Sequence, residues 1–287
     1  MTSAPRFSVT IPAYNAETTL AETVASVLGQ TFTNFEVVIV DDGSTDETRA
    51  LAERLAAADE RVHVVSQQNR GSGGAYNTAV RNARADLLVM LSADDLLEPE
   101  HLEALDAFVA ENPTASIFTC GGWYLYDDGT RELSTLHEHW ASQRECTLNN
   151  LLSACFFGVG AVYERAVFDA VGGFREDLYA EDYVFWLLAL AHGFRHAYLD
   201  RALAVHRRTA VQKSADELRV RRADLRAVTE VMNSGLLNEA DARAARRAAR
   251  RLRMNIAART TLGGLLGQTA ATRVIDAVRG RRHGGGA

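Results

Sequence analysis

The chain has 287 residues, 47% hydrophobic and 24% charged, which suits one large globular domain or a domain with an appendage, and its net charge of −6 argues against a general nucleic-acid binder. Cys120, Cys146 and Cys155 are odd in number and lack CxxC or CxxH spacing, which argues against a disulfide framework or structural zinc and for reduced thiols in a cytoplasmic compartment. The longest apolar run, around Val184 to Ala191, falls short of the ~20 residues a membrane span needs, and Met1 to Arg6 does not read as a signal peptide, so the expectation is a protein at most peripheral to a membrane.

Phe7-Ser8-Val9-Thr10-Ile11 alternates and then meets Pro12, predicting a strand that ends there. A helix follows, with Glu17, Thr18 and Thr19 near its start and Leu20, Val24, Val27 and Leu28 on one face. Val37 to Val40 reads as a buried strand running into Asp41-Asp42. Ser44 or Thr45 caps the next helix, with Asp46 and Glu47 in its first turn, where negative charge suits the positive dipole end. Val62 to Val65 is a third strand, and Gly71-Ser72-Gly73-Gly74 a loop opening a helix through Ala75, Ala79 and Val80. Leu87 to Leu91 is a fourth strand, running into Ser92-Ala93-Asp94-Asp95. Pro99 begins a helix that Asn112-Pro113 stops. Strands alternating with helices at this spacing imply an α/β fold with a right-handed, mainly parallel sheet.

After residue 114 the pattern changes. Ser116 to Cys120 and Trp123 to Tyr126 read as strands, the second followed by an Asp127-Asp128-Gly129 hairpin turn. Leu148 to Ala154 reads as helix and Val159 to Tyr163 as strand; helices then start near Arg165 and Ala180, closed by Gly172-Gly173 and Gly193. His196 to Leu199 and Leu203 to His206 are two short strands. From Ser214 the reading is helical: Asp216 to Ser234, Glu239 to about Thr261, and a piece near Thr269 to Val278. The predicted division is 1–113, 114–212 as a second half of the same domain, a helical extension over 213–280 and a disordered tail over 281–287.

Two strands thus deliver acidic pairs, Asp41-Asp42 and Asp94-Asp95, to the carboxyl edge of a parallel sheet, where open α/β sheets bind ligands. Like charges there call for something positive or hydrogen-bonding between them, and a divalent cation carrying a nucleotide diphosphate fits. Four segments, Val9 to Asn15, Val40 to Asp46, Leu91 to Asp95, and Gly172-Gly173-Phe174-Arg175 followed by Glu181-Asp182, together resemble the inverting family 2 glycosyltransferases of the GT-A fold. The resemblance spans about residues 7 to 210.

That resemblance implies a metal-dependent transfer of a sugar from a nucleotide-diphospho-sugar, UDP- or dTDP-linked, to a hydroxyl acceptor in glycan or polysaccharide biosynthesis. It implies that Pro12, Ala13, Tyr14, Asn15 and Glu17 lie against the nucleotide, with Gly71 beside the nucleoside. Asp42 is the candidate acceptor of a uracil or thymine N3–H, with Asp41 as the alternative acceptor or as a residue that fixes the loop. Ser92, Ala93 and Asp94 belong to the donor site, and Asp94 and Asp95 hold Mg²⁺ or Mn²⁺. Many family members carry Asp-x-Asp-Asp, and here Ser92 stands at the first position, adding a hydroxyl but no charge. Asp182 is the implied catalytic base, with Glu181 orienting it or the acceptor; both also suit the N-terminal turn of a helix. Trp186 and Tyr179 are candidate acceptor platforms, weighed against ordinary core packing, as are Trp123 and Trp140. His206-Arg207-Arg208 is a candidate diphosphate contact through Arg207. His137-Glu138-His139 reads as an exposed loop rather than a metal site.

Two rival readings stand beside this one: a non-catalytic nucleotide-sugar-binding or assembly protein, for which Ser92 argues, and a sugar nucleotidyltransferase, against which Pro12-Ala13-Tyr14-Asn15 argues because it replaces the Gly-rich basic loop expected there. The Arg-rich C-terminal helices, with Arg246-Arg247 and Arg250-Arg251, read as an arm that packs on the domain or forms a homodimer, rather than as a lipid-binding surface.

Overall fold

The structure is a computed structural model and describes residues 4–134, 146–153, 157–208 and 216–266. Strand β2 (Phe35–Asp41) buries all seven of its residues, as an apolar run covered on both faces must. It pairs in parallel with β1 (Phe7–Ala13) and β3 (Val62–Ser66), and β1 pairs in parallel with β4 (Leu87–Met90) on its other side. Helices α1 (Leu20–Leu28), α2 (Thr48–Ala58) and α3 (Gly71–Asn82) supply the crossovers. The order β3-β2-β1-β4 sends the chain from β1 to one side and later brings it back on the other. The loops after β1 and β4 therefore diverge and open a crevice at the carboxyl edge. The polar residues of β1 are satisfied: Ser8 Oγ donates to Glu36 Oε1 at 2.6 Å and Thr10 Oγ1 to the Val89 carbonyl at 2.8 Å.

Pro12 marks the divergence rather than the end of the strand. On the β2 side the pairing runs on through Pro12↔Val40 and Ala13↔Asp41, whereas pairing with β4 ends at Thr10↔Met90. Proline has no N–H to donate, so the ladder toward β4 cannot continue through it.

The second half adds antiparallel strands to the parallel sheet. β8 (Ala161–Glu164) runs antiparallel to β4 and to β6 (Ile117–Tyr126), while β6 is parallel to β9 (His196–Arg208). β5 (Leu96–Leu97) pairs antiparallel with β9, and β7 (Arg131–Leu133) forms the predicted hairpin on β6. The two pairs of short strands expected near 116–126 and 196–206 are two continuous strands that shift register around Gly121 and Gly122. A Cβ at Gly122 would meet the Ala204 carbonyl oxygen at 2.7 Å, so only glycine allows that approach.

Helix starts also differ from expectation. α4 is His101–Glu111, α5 only Leu148–Leu151, α6 Arg165–Val171 and α7 Glu181–Ala191; the C-terminal helices are α8 (Glu217–Asn233) and α9 (Glu239–Leu266). Gly71 to Gly74 form the first turn of α3 itself, not a preceding loop. α2 starts at Thr48 because the side chains of Ser44 and Thr45 bond the neighbouring loop at Asn15 instead of capping. The expected helix at 269–278, Trp140, and His137-Glu138-His139 lie outside the described residues.

One core cluster fills the face of the sheet covered by α1, α2 and α4. A second joins α7 to α8 and α9 through Ala227, Val228, Val231, Ala245, Ala248 and Ala249, and a small third one packs α3 on β2 through Val38, Val40, Ala75 and Ala79. The C-terminal arm thus packs on the domain, leaving Arg246, Arg247 and Arg250 exposed. No helix among the described residues is long and apolar enough to cross a membrane.

His196 is buried at the centre of this second half. The Cys146 N–H donates to its Nδ1 at 2.9 Å, so Nε2 carries the proton and donates to Thr119 Oγ1 at 2.7 Å. Burial pushes the ring pKa down to about 3. A histidine depressed in the folded state binds fewer protons than in the unfolded chain once pH falls below ~6.5. Stability from this group is therefore complete above pH ~6.5 and is lost on acidification, at roughly 1.4 kcal/mol per pH unit. Urea unfolding at pH 7 and pH 4.5 should show the loss, and His196→Gln should flatten it; equal pH slopes for both proteins would contradict this.

Candidate active site

Two loops at the carboxyl edge are laced together by hydrogen bonds. Asn15, at φ 51°, is the only non-glycine described residue with positive φ. Asn15 N–H donates to Ser44 Oγ at 3.1 Å, and its side-chain oxygen accepts from the Thr45 N–H at 2.9 Å. Ala16 N–H donates to Thr48 Oγ1 at 2.7 Å, and Glu17 Oε2 accepts from the Glu47 N–H at 2.9 Å. This lacing fixes Pro12 to Asn15 as one wall of a cleft of about 850 Å³. Glu17, expected at the nucleotide, instead caps the start of α2 and does not line the cleft.

The first acidic pair divides its labour. Asp41 accepts from the Ser44 N–H at 3.2 Å and does not line the cleft, so it fixes the turn. Asp42 lines the cleft, with Oδ1 accepting from Gln67 Nε2 at 2.7 Å and from the Arg70 N–H at 2.9 Å. Arg70 itself pairs with Glu176 at 2.6 Å, tying α3 to the segment before α7.

The second acidic pair is placed by β5. Its pairing of Leu96 with Val205 brings the loop after β4 against the end of β9. Asp95, 2% exposed, accepts from the Arg207 N–H at 3.0 Å and lies 3.1 Å from His206 Nδ1. Arg207 Nε donates to the Asp94 carbonyl at 3.0 Å and its guanidinium also pairs with Glu22. Burial, and then the neighbouring Asp95 charge, push the Asp94 carboxyl up to about 6. A carboxyl held in that way gains from a cation beside it. No cluster of three or more His, Cys, Asp or Glu side chains suited to a metal exists among the described residues. Asp94 and Asp95 nonetheless fit Mg²⁺ or Mn²⁺, ions that keep several ligand positions for phosphate and water and need few protein carboxylates.

Across the crevice, Glu181 and Asp182 open α7, where negative charge is favoured. Ser72 Oγ donates to Glu181 Oε1, and Asp182 Oδ1 accepts from the Tyr183 N–H at 2.7 Å. Gly73 permits this approach, since a Cβ there would stand 2.5 Å from the Arg175 carbonyl oxygen. Between the two acidic elements lies Tyr76, a residue the sequence reading passed over. It is 2% exposed, shares a hydrogen bond with Ser92, and has its phenol pKa raised by burial and by the charges of Glu181, Asp182 and Asp95. Its only sequence signal is its place one turn before Val80 on the buried face of α3.

Three cavities meet at Ser92, which lines all of them. The 850 Å³ cleft brings together Pro12, Ala13, Tyr14, Asn15, Asp42, Gly71, Ala93, Asp94, Tyr179, Glu181 and Arg207. A 400 Å³ cavity joins Asp94 and Asp95 to Glu181 and Asp182. A third, of 240 Å³, holds Asp182 and Asp95 with Trp123, Phe157, Trp186, His206 and Arg208. Trp186 is 1% exposed, its ring stacked under Phe157 at 4.8 Å and 13°, so it is core rather than an open platform. Tyr179 lies on the other side, in the large cleft, with the Arg219 guanidinium 4.1 Å from its ring centroid.

A crevice at a sheet switch point, with acidic strand ends on one wall and an acidic helix start on the other, sits on a GT-A fold, the fold of the solved structures this chain superposes on. The family model "Glycosyl transferase family 2" matches residues 8–172, and the chain belongs to that family: it is a glycosyltransferase. It is 32% identical over 204 residues, 71% of this chain and 79% of the relative, to the putative teichuronic acid biosynthesis glycosyltransferase TuaG of Bacillus subtilis. Of the curated relatives it matches, it spans 17% of the length of one, a chondroitin synthase of Escherichia coli, and 79% of TuaG. TarS 1-349 of S. aureus superposes with a TM-score of 0.70 over 91% of this chain and 75% of TarS, at 23% identity. The mannosyltransferase PcManGT from Pyrobaculum calidifontis, solved with GDP-Man and Mn²⁺, gives a TM-score of 0.66 over 97% and 81%, at 20% identity.

Proposed function

We propose that this glycosyltransferase is inverting and metal-dependent, moving a sugar from a UDP- or dTDP-sugar to a hydroxyl acceptor in polysaccharide or glycoconjugate assembly. The observation that carries the reading is the meeting of the three cavities at Ser92, with Asp94 and Asp95 on the donor side and Asp182 shared with the aromatic cavity. TarS, solved also with UDP and with UDP-GlcNAc, and TuaG, named for teichuronic acid biosynthesis, support the donor class and the setting.

In this reading the base lies along Pro12 to Asn15, and Asp42 accepts its N3–H through the carboxylate that Gln67 and the Arg70 N–H hold in place. Asp94 and Asp95 hold Mg²⁺ or Mn²⁺, which, when bound, stabilises charge on the departing diphosphate. Arg207, His206 and the Ser92 hydroxyl hold that acidic loop and the adjoining ribose in position. Asp182 takes the acceptor hydroxyl's proton as that oxygen attacks the anomeric carbon opposite the leaving group. Glu181, held by Ser72, sits between donor cleft and base and positions the donor sugar. The 240 Å³ cavity, walled by Trp123 and Phe157, takes the acceptor end.

The test is a thermal-shift screen over UDP-, dTDP- and GDP-sugars with and without Mn²⁺, followed by product analysis. A ligand of the native state raises the melting temperature. A UDP- or dTDP-sugar should do so more with Mn²⁺ than without; no shift with any donor would remove the reading. Binding without product formation against an acceptor panel would favour a non-catalytic nucleotide-sugar binder.

A further inference from the structure

The large cleft is lined by four carboxylates, Asp42, Asp94, Glu176 and Glu181, yet the proposed donor carries a diphosphate there. Two arginines line the same cleft, Arg207 and Arg219. Arg207 is engaged: it bonds the Asp94 carbonyl and Glu22 while its backbone serves Asp95. Arg219 is exposed, and no carboxylate pairs with it among the described residues. Its guanidinium rests on the ring of Tyr179 at 4.1 Å, a contact that holds the head group in place and leaves its N–H donors available.

The position along the cleft follows from its neighbours. Tyr179 also lines the 400 Å³ cavity that contains Asp94, Asp95 and Asp182, and so does Val220, the residue after Arg219. Arg219 therefore stands toward the phosphate and sugar end, away from Pro12 to Asn15. It is carried by the first turn of α8, where the Asp216 side chain accepts from the Arg219 N–H at 3.0 Å. Ala223, Ala227, Val228 and Val231 bury the inner face of that helix, and Arg175 joins Glu230 to the segment before α7.

We infer that Arg219 is a binding residue for the diphosphate of the donor, so that the C-terminal helical extension forms part of the donor site. This rests on the proposed nucleotide-sugar reading. The extension then has a function beyond packing: it delivers a cation to an acidic cleft from a helix outside the central sheet. A charge-assisted contact of this kind sets an expected loss of roughly ten- to a hundredfold in diphosphate affinity when the guanidinium is removed.

The experiment uses the full chain and its Arg219→Ala variant. Calorimetry gives the Kd of UDP, dTDP and GDP with Mn²⁺, and saturation-transfer NMR gives that of the matching nucleosides; a thermal melt checks the fold. For whichever diphosphate the wild type binds best, the variant should bind at least about tenfold more weakly, with nucleoside binding and melting temperature unchanged. Unchanged diphosphate affinity in the variant overturns the inference and leaves the parent reading standing. Equal weakening of diphosphate and nucleoside overturns it too, since the residue then shapes the cleft rather than meeting phosphate. If the wild type binds none of the three, both fall. Tyr179→Leu, which removes the platform and keeps the charge, should weaken the diphosphate by a smaller factor; no change there would show that the ring does not preorganise Arg219.

Discussion

Replacing Asp182 by Asn is expected to abolish measurable sugar transfer while leaving donor binding intact. General-base removal costs ~10²–10⁴ in rate, and Asn has the shape of Asp without its proton affinity. The substitution is gentle on the fold, since an Asn oxygen can still accept from the Tyr183 N–H that Asp182 Oδ1 accepts now. Asp182 lines the 400 and 240 Å³ cavities but not the large cleft, so the Kd of the donor by calorimetry should stay within about twofold while kcat collapses. Near-normal turnover in Asp182→Asn would remove the assignment of the base and return Glu181, which lines both the large cleft and the 400 Å³ cavity, to consideration.

The second large effect is expected at Asp94. Its carboxyl is pushed up to about 6, first by burial and then by Asp95, and both causes describe negative charge short of compensation. A divalent cation bound there supplies several kcal/mol of charge stabilisation to the leaving diphosphate, and each ~1.4 kcal/mol is tenfold in rate. Asp94→Asn should therefore lose two to three orders of magnitude, roughly, in transfer and should no longer respond to Mn²⁺. Treating the wild type with EDTA should reproduce the loss, and adding Mn²⁺ or Mg²⁺ should reverse it. Full activity in metal-free protein would mean that Ser92, Tyr76 and the arginines hold the diphosphate without a cation. The hydrogen bond between buried Tyr76 and half-buried Ser92 makes that comparison informative, because it ties the acidic loop to α3 and adds no charge.

The GT-A fold and the family were legible through the resemblance of four segments, three of which couple a strand end to a polar or acidic turn while the fourth joins a helix end to an acidic helix start. Prediction was weaker wherever long-range pairing decided the outcome. β5 has only two residues and no periodicity, yet its contact with β9 sets Asp95 against His206 and Arg207. Glu17 and Asp41 carried the right residue types for a ligand contact, but hydrogen bonds to the Glu47 and Ser44 N–H groups place them in the scaffold. Trp186 could be named as an aromatic on an acidic helix; its burial under Phe157 depends on a residue 29 positions away. Tyr76 offered only its place one turn before Val80, and Arg219 carried no signal, since neither sits in a motif and both matter only through what faces them.

What the amino-acid sequence determined by itself was the parallel half of the sheet, its acidic carboxyl edge and the acidic start of α7, because buried β-runs, strand-end turns and dipole-matched helix starts are written within a few residues. What only the tertiary structure decided was the division of that acidity: which carboxylates face the cleft, which are spent on backbone N–H groups, and which cation returns from a helix more than a hundred residues along the chain. Burial and charge pairing are properties of neighbours in space, and no local pattern fixes them.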